Sequence, residues 1–475
     1  MLRRTKILAT LGPATDKPGV LEAMVRAGVD VVRLNFSHGE AADHRRRMAL
    51  VRAASAATGR DIGVLGDLQG PKIRIERFRD GAVMLNDGQA FTLDAALDAD
   101  AGSSSAVGIT YKELPADVKS GDRLLLNDGL LVLAVERVVG SRIETRVESG
   151  GELSNSKGIN RQGGGLSAKA LTPKDLADIA VAAELGVDYL AISFPRDAAD
   201  IEDARRLVRA AGSAAGIVAK IERAEAVTHL EQIVRVSDAV MIARGDLAVE
   251  IGDAELPGVQ KHIIQTARDL NTVVITATQM MESMVVNPVP TRAEVLDVAN
   301  AVMDGTDAVM LSAETASGKH PVKVVEAMAR VCMGAEKERM TQRSKHRLDS
   351  HFENIDEAVA MATMYVANHL DVKAIGALTE SGSTALWMSR IRSGIPIYAL
   401  TRHEATRRRV TLYRGVYPVP FDVLHANPEH VLREAGEELT RRGAVARGDL
   451  VVFTKGELSG VTGGTNGLKI VRIGD

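Results

Sequence analysis

The stretch GIVAKIERAEAVTHLEQIVRVSDAVMIARGD, residues 216–246, decides the fold. Two apolar runs, 216–222 and 238–246, each end in polar residues and enclose a helical segment. Six more runs of the same kind lie outward from it: TKILATL (5–11), VDVVRLNFS (29–37), DIGVLGDLQ (61–69), VDYLAIS (187–193), TVVITATQ (272–279) and DAVMLSAE (307–314). Strands that are apolar almost throughout are buried on both faces, which is the pattern of a parallel sheet. Eight strand–helix units predict an α/β fold, a (β/α)8 barrel of the TIM type.

The helices between them carry their own stops and starts. Thr172 with Pro173 marks a helix start, with Leu176, Ile179 and Ala183 as its apolar face. Thr291 and Glu294 form a capping box ahead of Val295, Val298 and Val302, and Gly305 fits the stop. One spacing breaks the rhythm, between the runs at 61–69 and 187–193. The insert, residues 71–166, carries Asp80-Gly81, Asn86-Asp87-Gly88 and Asn127-Asp128-Gly129, read as hairpin turns between short runs such as 123–126 and 130–135. A small all-β domain, a β-barrel lid over the mouth of the larger barrel, is expected there. Residues 1–70 and 167–340 then make the barrel, and the charged stretch 335–351 connects it to a third domain, 341–475. That domain alternates helix 354–370, strand 374–379, a helix from 383, strand 395–401, helix 427–441 and strands 449–454 and 468–473, predicting an open α/β sheet.

Composition narrows the function. The 475 residues are 45% hydrophobic and carry a net charge of −3, which argues against a coat for nucleic acid or an acidic membrane surface. Aromatics are 3%, too few for a base-stacking surface. A single cysteine, Cys332, excludes an intrachain disulfide. No apolar run approaches the ~20 residues of a membrane span. Gly12 and Pro13 cut the first apolar run short of a signal peptide, so a cytoplasmic location is expected.

In a barrel the chemistry collects at the C-terminal strand ends. Here those ends present Thr10; Arg33, Asn35 and Ser37 at alternate positions; Asp67; Ser193; Lys220 with Glu222; Arg244 with Asp246; Thr278; and Ser312 with Glu314. Each charge taken singly is satisfied equally well by an ion pair in the barrel rim. Their convergence on one mouth points to a ligand, because a lone buried charge is costly. Two acids suit Mg2+, and Arg33, Lys72, Arg74 and Lys220 suit a phosphoryl group. That combination is what phosphoryl transfer requires. No Walker A motif, protein-kinase loop or dinucleotide fingerprint is present. Gly163-Gly164-Gly165 reads as a hinge. A Mg2+-dependent lyase or aldolase acting on enolates, or a metabolite-binding regulatory protein, are the competing classes.

Seven segments make the chain resemble the pyruvate kinase family from end to end: TKILATLGPAT (5–15), RLNFSHG (33–39), GDLQGPKIR (66–74), IVAKIERAEA (217–226), MIARGDLAVEIG (241–252), ITATQMMESM (275–284) and LSAETASGKHP (311–321). The resemblance implies phosphoryl transfer from phosphoenolpyruvate to ADP, giving pyruvate and ATP, and a homotetramer. It implies that Glu222 and Asp246 ligate Mg2+, that Lys220 and Arg33 hold the phosphoryl group, and that the Gly245 backbone and Thr278 hold the substrate carboxylate. Thr278 and Ser312 are both candidates to relay the proton to the enolate. Pro13, Asn35, His38, Arg74 and Lys174 fall where the family contacts nucleotide. Asn35, Ser37, Asp67 and the Leu68 carbonyl fall where many members hold potassium. Those members commonly carry Glu at the position of Lys72; with Leu68, Gln69 and Ile75, this chain resembles the potassium-independent branch, the lysine ammonium supplying the ion's charge.

The segment Thr379-Glu380-Ser381-Gly382-Ser383-Thr384 runs from a strand into a helix. Simple N-capping by Ser383 or Thr384 is one reading. The resemblance implies an effector-phosphate site at Thr379, Ser381, Gly382, Ser383 and Thr384, in a form similar to the bacterial subfamily activated by AMP or sugar monophosphates. Gly464 and Thr465, in the loop 460–467, are expected to close over it. Arg407-Arg408-Arg409 reads as a solvated helix face or subunit contact rather than a nucleic-acid patch.

Overall fold

The computed structural model describes residues 2–342, 351–422, 428–456 and 464–474. All eight apolar runs form strands, Lys6–Thr10, Val31–Asn35, Gly63–Asp67, Tyr189–Ile192, Gly216–Ile221, Ala239–Ala243, Val273–Ala277 and Ala308–Leu311, each pairing in parallel into one closed barrel. Leu8, Val31, Leu65, Tyr189, Val218, Met241, Ile275 and Met310 fill its interior, and the second set of strand residues packs outward against the helices. The cap at Thr172 and the capping box at Thr291 form as expected, Thr172 making a box of its own with Asp175, and Gly305 ends its helix in the left-handed region. Leu176 does not belong to the apolar face; it is exposed, and Asp175, Ile179 and Ala182 are the buried positions.

The insert folds at the mouth of the barrel as a curled half-barrel rather than a closed one. Six of its strands make one open sheet, and Ala82–Leu85 pairs with Gly151–Ser154 in a separate two-stranded sheet. Asn127-Asp128-Gly129 closes a hairpin, with all three residues at positive φ. Asn86-Asp87-Gly88 does not: it links strands of two different sheets, and Asp80-Gly81 leads into the strand Ala82–Leu85 without pairing back. A turn motif specifies a local reversal, and the partner of each strand is chosen by the apolar face it must bury.

The C-terminal sheet has four parallel strands and one antiparallel edge, Thr465–Arg472. Its opposite edge, Val416–Pro420, escapes the sequence reading because Pro418 and Pro420 argue against a strand; as an edge strand it tolerates them. The preceding helix, Glu404–Val410, docks on the base of the barrel. Arg407 bonds Asp61 at 3.2 Å, Arg408 bonds Asp188 at 2.9 Å and Arg409 donates to the Ala214 carbonyl at 3.0 Å. The basic run is therefore a joint between domains of one chain, not a free face. Of the expected connection, the segment 343–350 lies outside the described residues, as do 460–463 of the glycine-rich loop. Among the described residues no helix is long and apolar enough to cross a membrane.

Candidate active site

Five neighbouring strands around the barrel converge their ends on one carboxylate. Asp67 is completely buried; its Oδ2 accepts from Arg33 Nε at 2.6 Å, and its Oδ1 faces Lys220 Nζ at 3.4 Å. Arg33 also donates to Thr10 Oγ1 at 3.2 Å. Lys220 Nζ lies 2.9 Å from Glu222 Oε1 and donates to Ser193 Oγ at 2.7 Å, and Ser193 Oγ in turn donates to the Leu68 carbonyl at 2.8 Å. Burial alone would raise Asp67, but Arg33 and Lys220 outweigh it and hold the carboxyl below its ordinary pKa. Burial likewise opposes the Lys220 ammonium, and Asp67 and Glu222 outweigh it, so its pKa is raised. Lys220 is a cation held in place from three sides.

Asp246 corrects the sequence reading. It sits in the first turn of the helix Arg244–Ile251, not on a strand, so alternate-residue parity with Arg244 does not apply. Arg244 turns away from the mouth to bond Asp297 at 2.6 Å and the Thr278 carbonyl at 2.7 Å. Asp246 turns inward beside Glu222: burial, then the charge of Glu222, push its carboxyl up to about 7. A buried carboxylate and a half-buried one that repel one another suit a divalent cation, whose binding would restore the ionised form. Among the described residues no third carboxylate, histidine or cysteine joins them, so further ligands to such an ion would come from outside the chain.

Thr278 has φ +63 and Gln279 has φ +54, a backbone region that a β-branched residue rarely adopts. The strain aims the Thr278 hydroxyl inward, where it accepts from the Gly245 N–H at 2.9 Å and donates to the Ala277 carbonyl at 2.7 Å. The two groups expected to hold a substrate carboxylate are thus hydrogen-bonded to each other. Ser312 lies on the next strand end, its N–H donating to buried Glu314 at 2.6 Å.

A cavity of about 520 Å3 joins these groups to the inserted domain. Ser37, Lys220, Glu222 and Asp246 line it from the barrel, and Lys72, Arg74, Asn127, Asp128 and 155–160 from the insert. Asn35 accepts from the Ser37 N–H at 3.1 Å and pairs in register with Asp67. The Leu68 carbonyl is occupied by Ser193. Lys72 has its pKa lowered by burial, then by Arg74 and Lys174. His38 is lowered by burial, then by Lys72, Arg33 and Arg74, so it stands neutral among cations. Pro13 is exposed on the loop after the first strand, and Lys174 is tied to the Phe36 carbonyl at 2.7 Å; neither lines the cavity.

Sequence reasoning missed the cavity's upper wall. Asn127 and Asp128 gave only a turn signal, and nothing local reveals that the hairpin tip hangs over Asp246. Glu250, pushed up to about 7 mainly by burial, and Arg223 also line the wall unforeseen.

In the C-terminal domain Gly382, at φ +88, is the N-cap of the helix Ser383–Ser389, so neither Ser383 nor Thr384 caps it. Thr379 Oγ1 accepts the Gly382 N–H at 2.9 Å, Ser381 Oγ donates to Ser383 Oγ at 3.1 Å, and Thr384 Oγ1 meets Thr465 Oγ1 at 2.7 Å.

Comparison with known proteins gives the same answer at every scale. Residues 2–325 match the family described as pyruvate kinase, barrel domain, and residues 357–471 that described as pyruvate kinase, alpha/beta domain. Pyruvate kinase II of Salmonella typhimurium is 57% identical over 476 aligned residues, 99% of each chain. Pyruvate kinase of Haemophilus influenzae is 54% identical over 96% of each chain, and that of Mycobacterium tuberculosis 41% over 100% of this chain and 99% of its own. With both domains matched and the relatives aligned over nearly their full lengths, the chain belongs to the pyruvate kinase family, whose members transfer the phosphoryl group of phosphoenolpyruvate to ADP, giving pyruvate and ATP.

Proposed function

We propose that this chain carries out the pyruvate kinase reaction with Lys220 and Arg33 on the transferring phosphoryl group, and that it does so without potassium. The observation that carries the reading is the Lys220 ammonium, its side chain 12% exposed and held between Asp67, Glu222 and Ser193. A cation fixed in a water-poor site stabilises charge developing on the phosphoryl oxygens with little reorganisation. Glu222 and Asp246 would hold Mg2+, which when bound neutralises charge on the substrate's oxygens. The Gly245 N–H and the Thr278 hydroxyl, released from each other, receive the substrate carboxylate. Thr278 and Ser312 stand on adjacent strand ends from which a proton reaches the enolate. Arg74 would meet the nucleotide from the cavity wall, and Asn35, His38, Pro13 and Lys174 would complete its site from outside that lining.

The Lys72 ammonium lines the same cavity as Ser37, close enough to depress His38. It supplies the positive charge that a monovalent ion would bring to Asn35, Ser37, Asp67 and the Leu68 carbonyl. Catalysis belongs to residues 1–70 and 167–340, water exclusion to the insert 71–166, and regulation to 341–475. AMP or a sugar monophosphate binds at Thr379, Ser381, Gly382, Ser383 and Thr384, and the enzyme works as a cytoplasmic homotetramer. The test is pyruvate release from phosphoenolpyruvate and ADP in potassium-free buffer with Mg2+. Full turnover is expected there, with Lys72→Glu losing it and regaining it on potassium addition. Turnover by wild type only after potassium is added would remove the role given to Lys72.

A further inference from the structure

Five arginines meet where the base of the barrel rests on the C-terminal domain. Arg4 comes from the N-terminal segment, Arg268 from the end of the helix Leu256–Asp269, and Arg390, Arg392 and Arg414 from the C-terminal domain. With Gly305 and Asp307 they line a small pocket of about 20 Å3. Two carboxylates answer them: Asp307 is taken by Arg390 through both its oxygens, and Glu336 by Arg4 and the Thr5 hydroxyl. Arg414 and Arg392 are left with neutral acceptors, the Thr306 carbonyl at 2.8 Å for the first and the Asp304 carbonyl at 2.9 Å for the second.

Arg268 has less still. It is 7% exposed and its guanidinium has no hydrogen-bond or ion-pair partner among the described residues. Burial, then Arg392 and Arg390, pull it down to about 10, with Asp307 opposing them. Arg268 Nη1 and Arg392 Nη2 both lie 3.1 Å from the point where a Cβ on Gly305 would stand, so the two groups converge on space that only a glycine leaves open. An unpaired cation with so little exposure is costly, and Asp307, Glu336 and Asp304 offset only part of the charge of the five guanidinium groups.

We propose that the pocket binds one small monovalent anion of halide size, held by Arg268 from the barrel and Arg392 from the C-terminal domain, and that the ion fastens the two domains together. The volume is enough for about one water-sized occupant and too little for a phosphate. A water would fill the space but bring no net charge, whereas an anion answers the excess.

The experiment uses the full-length enzyme. Crystals grown in bromide are expected to show an anomalous peak within hydrogen-bond distance of Arg268 and Arg392. Thermal midpoints are compared in sodium chloride, sodium gluconate and sodium phosphate at equal ionic strength. Wild type is expected to melt about 2–4 °C higher in chloride than in gluconate, the shift that ligand linkage gives a chain of this size. Arg268→Gln is expected to lose that difference. No bromide peak at the two guanidinium groups overturns the proposal even if the variant fails to fold. So does a chloride shift of equal size in Arg268→Gln, or a shift produced by phosphate and not by chloride.

Discussion

Lys6 illustrates how one side chain can contradict its place in the sequence. It opens an apolar strand yet is buried at the barrel base, where Nζ donates to the Val416 carbonyl at 2.5 Å and sits 4.4 Å from the Tyr417 ring centre. Burial is the largest influence on it; Asp30 favours the charge, Arg3 and Arg60 oppose it, and the pKa falls to about 8. The unfolded chain therefore binds more protons than the folded one between about pH 8 and the ordinary lysine value near 10.4. Stability contributed by this group is lowest below pH 8 and rises with pH through that window. Urea unfolding at pH 7.5 and 9.5 is expected to show wild type gaining about 2 kcal/mol relative to Lys6→Met over that interval. Equal pH responses in the two proteins would mean that Lys6 is not held against its charge.

At the scale of elements, the helix Pro173–Leu185 couples local capping to the active site. Asp175 closes the capping box with Thr172, and its Oδ1 also accepts the Gly70 N–H at 3.1 Å, anchoring the loop that carries Lys72. Thr172→Ala is expected to cost about 1 kcal/mol of stability, as a lost cap does, with turnover nearly unchanged. Asp175→Ala is expected to cost more and also to lower kcat/KM at least tenfold, because a buried N–H is orphaned and the Lys72 loop is freed. Calorimetry and steady-state kinetics on both variants separate the two effects; equal kinetics would show that the anchor is idle. The cap was legible in the sequence because Thr-Pro is a local code for a helix start, although Asp175 went unread, and the eight barrel strands were legible because burial on both faces leaves unbroken apolar runs. Arg244 and Asp246 were misassigned to a strand because two charged residues at alternate positions look alike on a strand end and in a first helical turn. The tip at Asn127 and Asp128 lay beyond reach for another reason: its place over the mouth is fixed by packing of the whole insert, which no local pattern encodes.

For the whole molecule, the helix Glu404–Val410 is the joint on which regulation would turn. On one side Thr406 donates to the Glu380 carbonyl at 2.7 Å, and Val410 packs so closely on Gly382 that a Cβ there would approach it to 2.7 Å. On the other side Arg408 bonds Asp188, which in turn accepts the Val64 N–H at 2.9 Å. The strands Gly63–Asp67 and Tyr189–Ile192 run from that contact to Asp67 and Ser193 at the catalytic mouth. A displacement at the Thr379–Thr384 segment therefore meets a helix that bears directly on the base of the strands carrying the Lys220 partners. The physical warrant for coupling is a two-state element biased from both ends, and the variant that tests it must cut one end without touching either site. Arg408→Gln does so. Burial pushes the Asp188 carboxyl up in opposition to Arg408, so losing the arginine leaves a buried acid poorly paired and costs about 3 kcal/mol, read as a lower thermal midpoint. Basal turnover at saturating substrate is expected to stay within twofold of wild type, while the activation proposed for AMP or a sugar monophosphate falls by at least threefold. Activation retained in full by a variant with the lowered midpoint would show that the joint holds the domains together without carrying a signal between them.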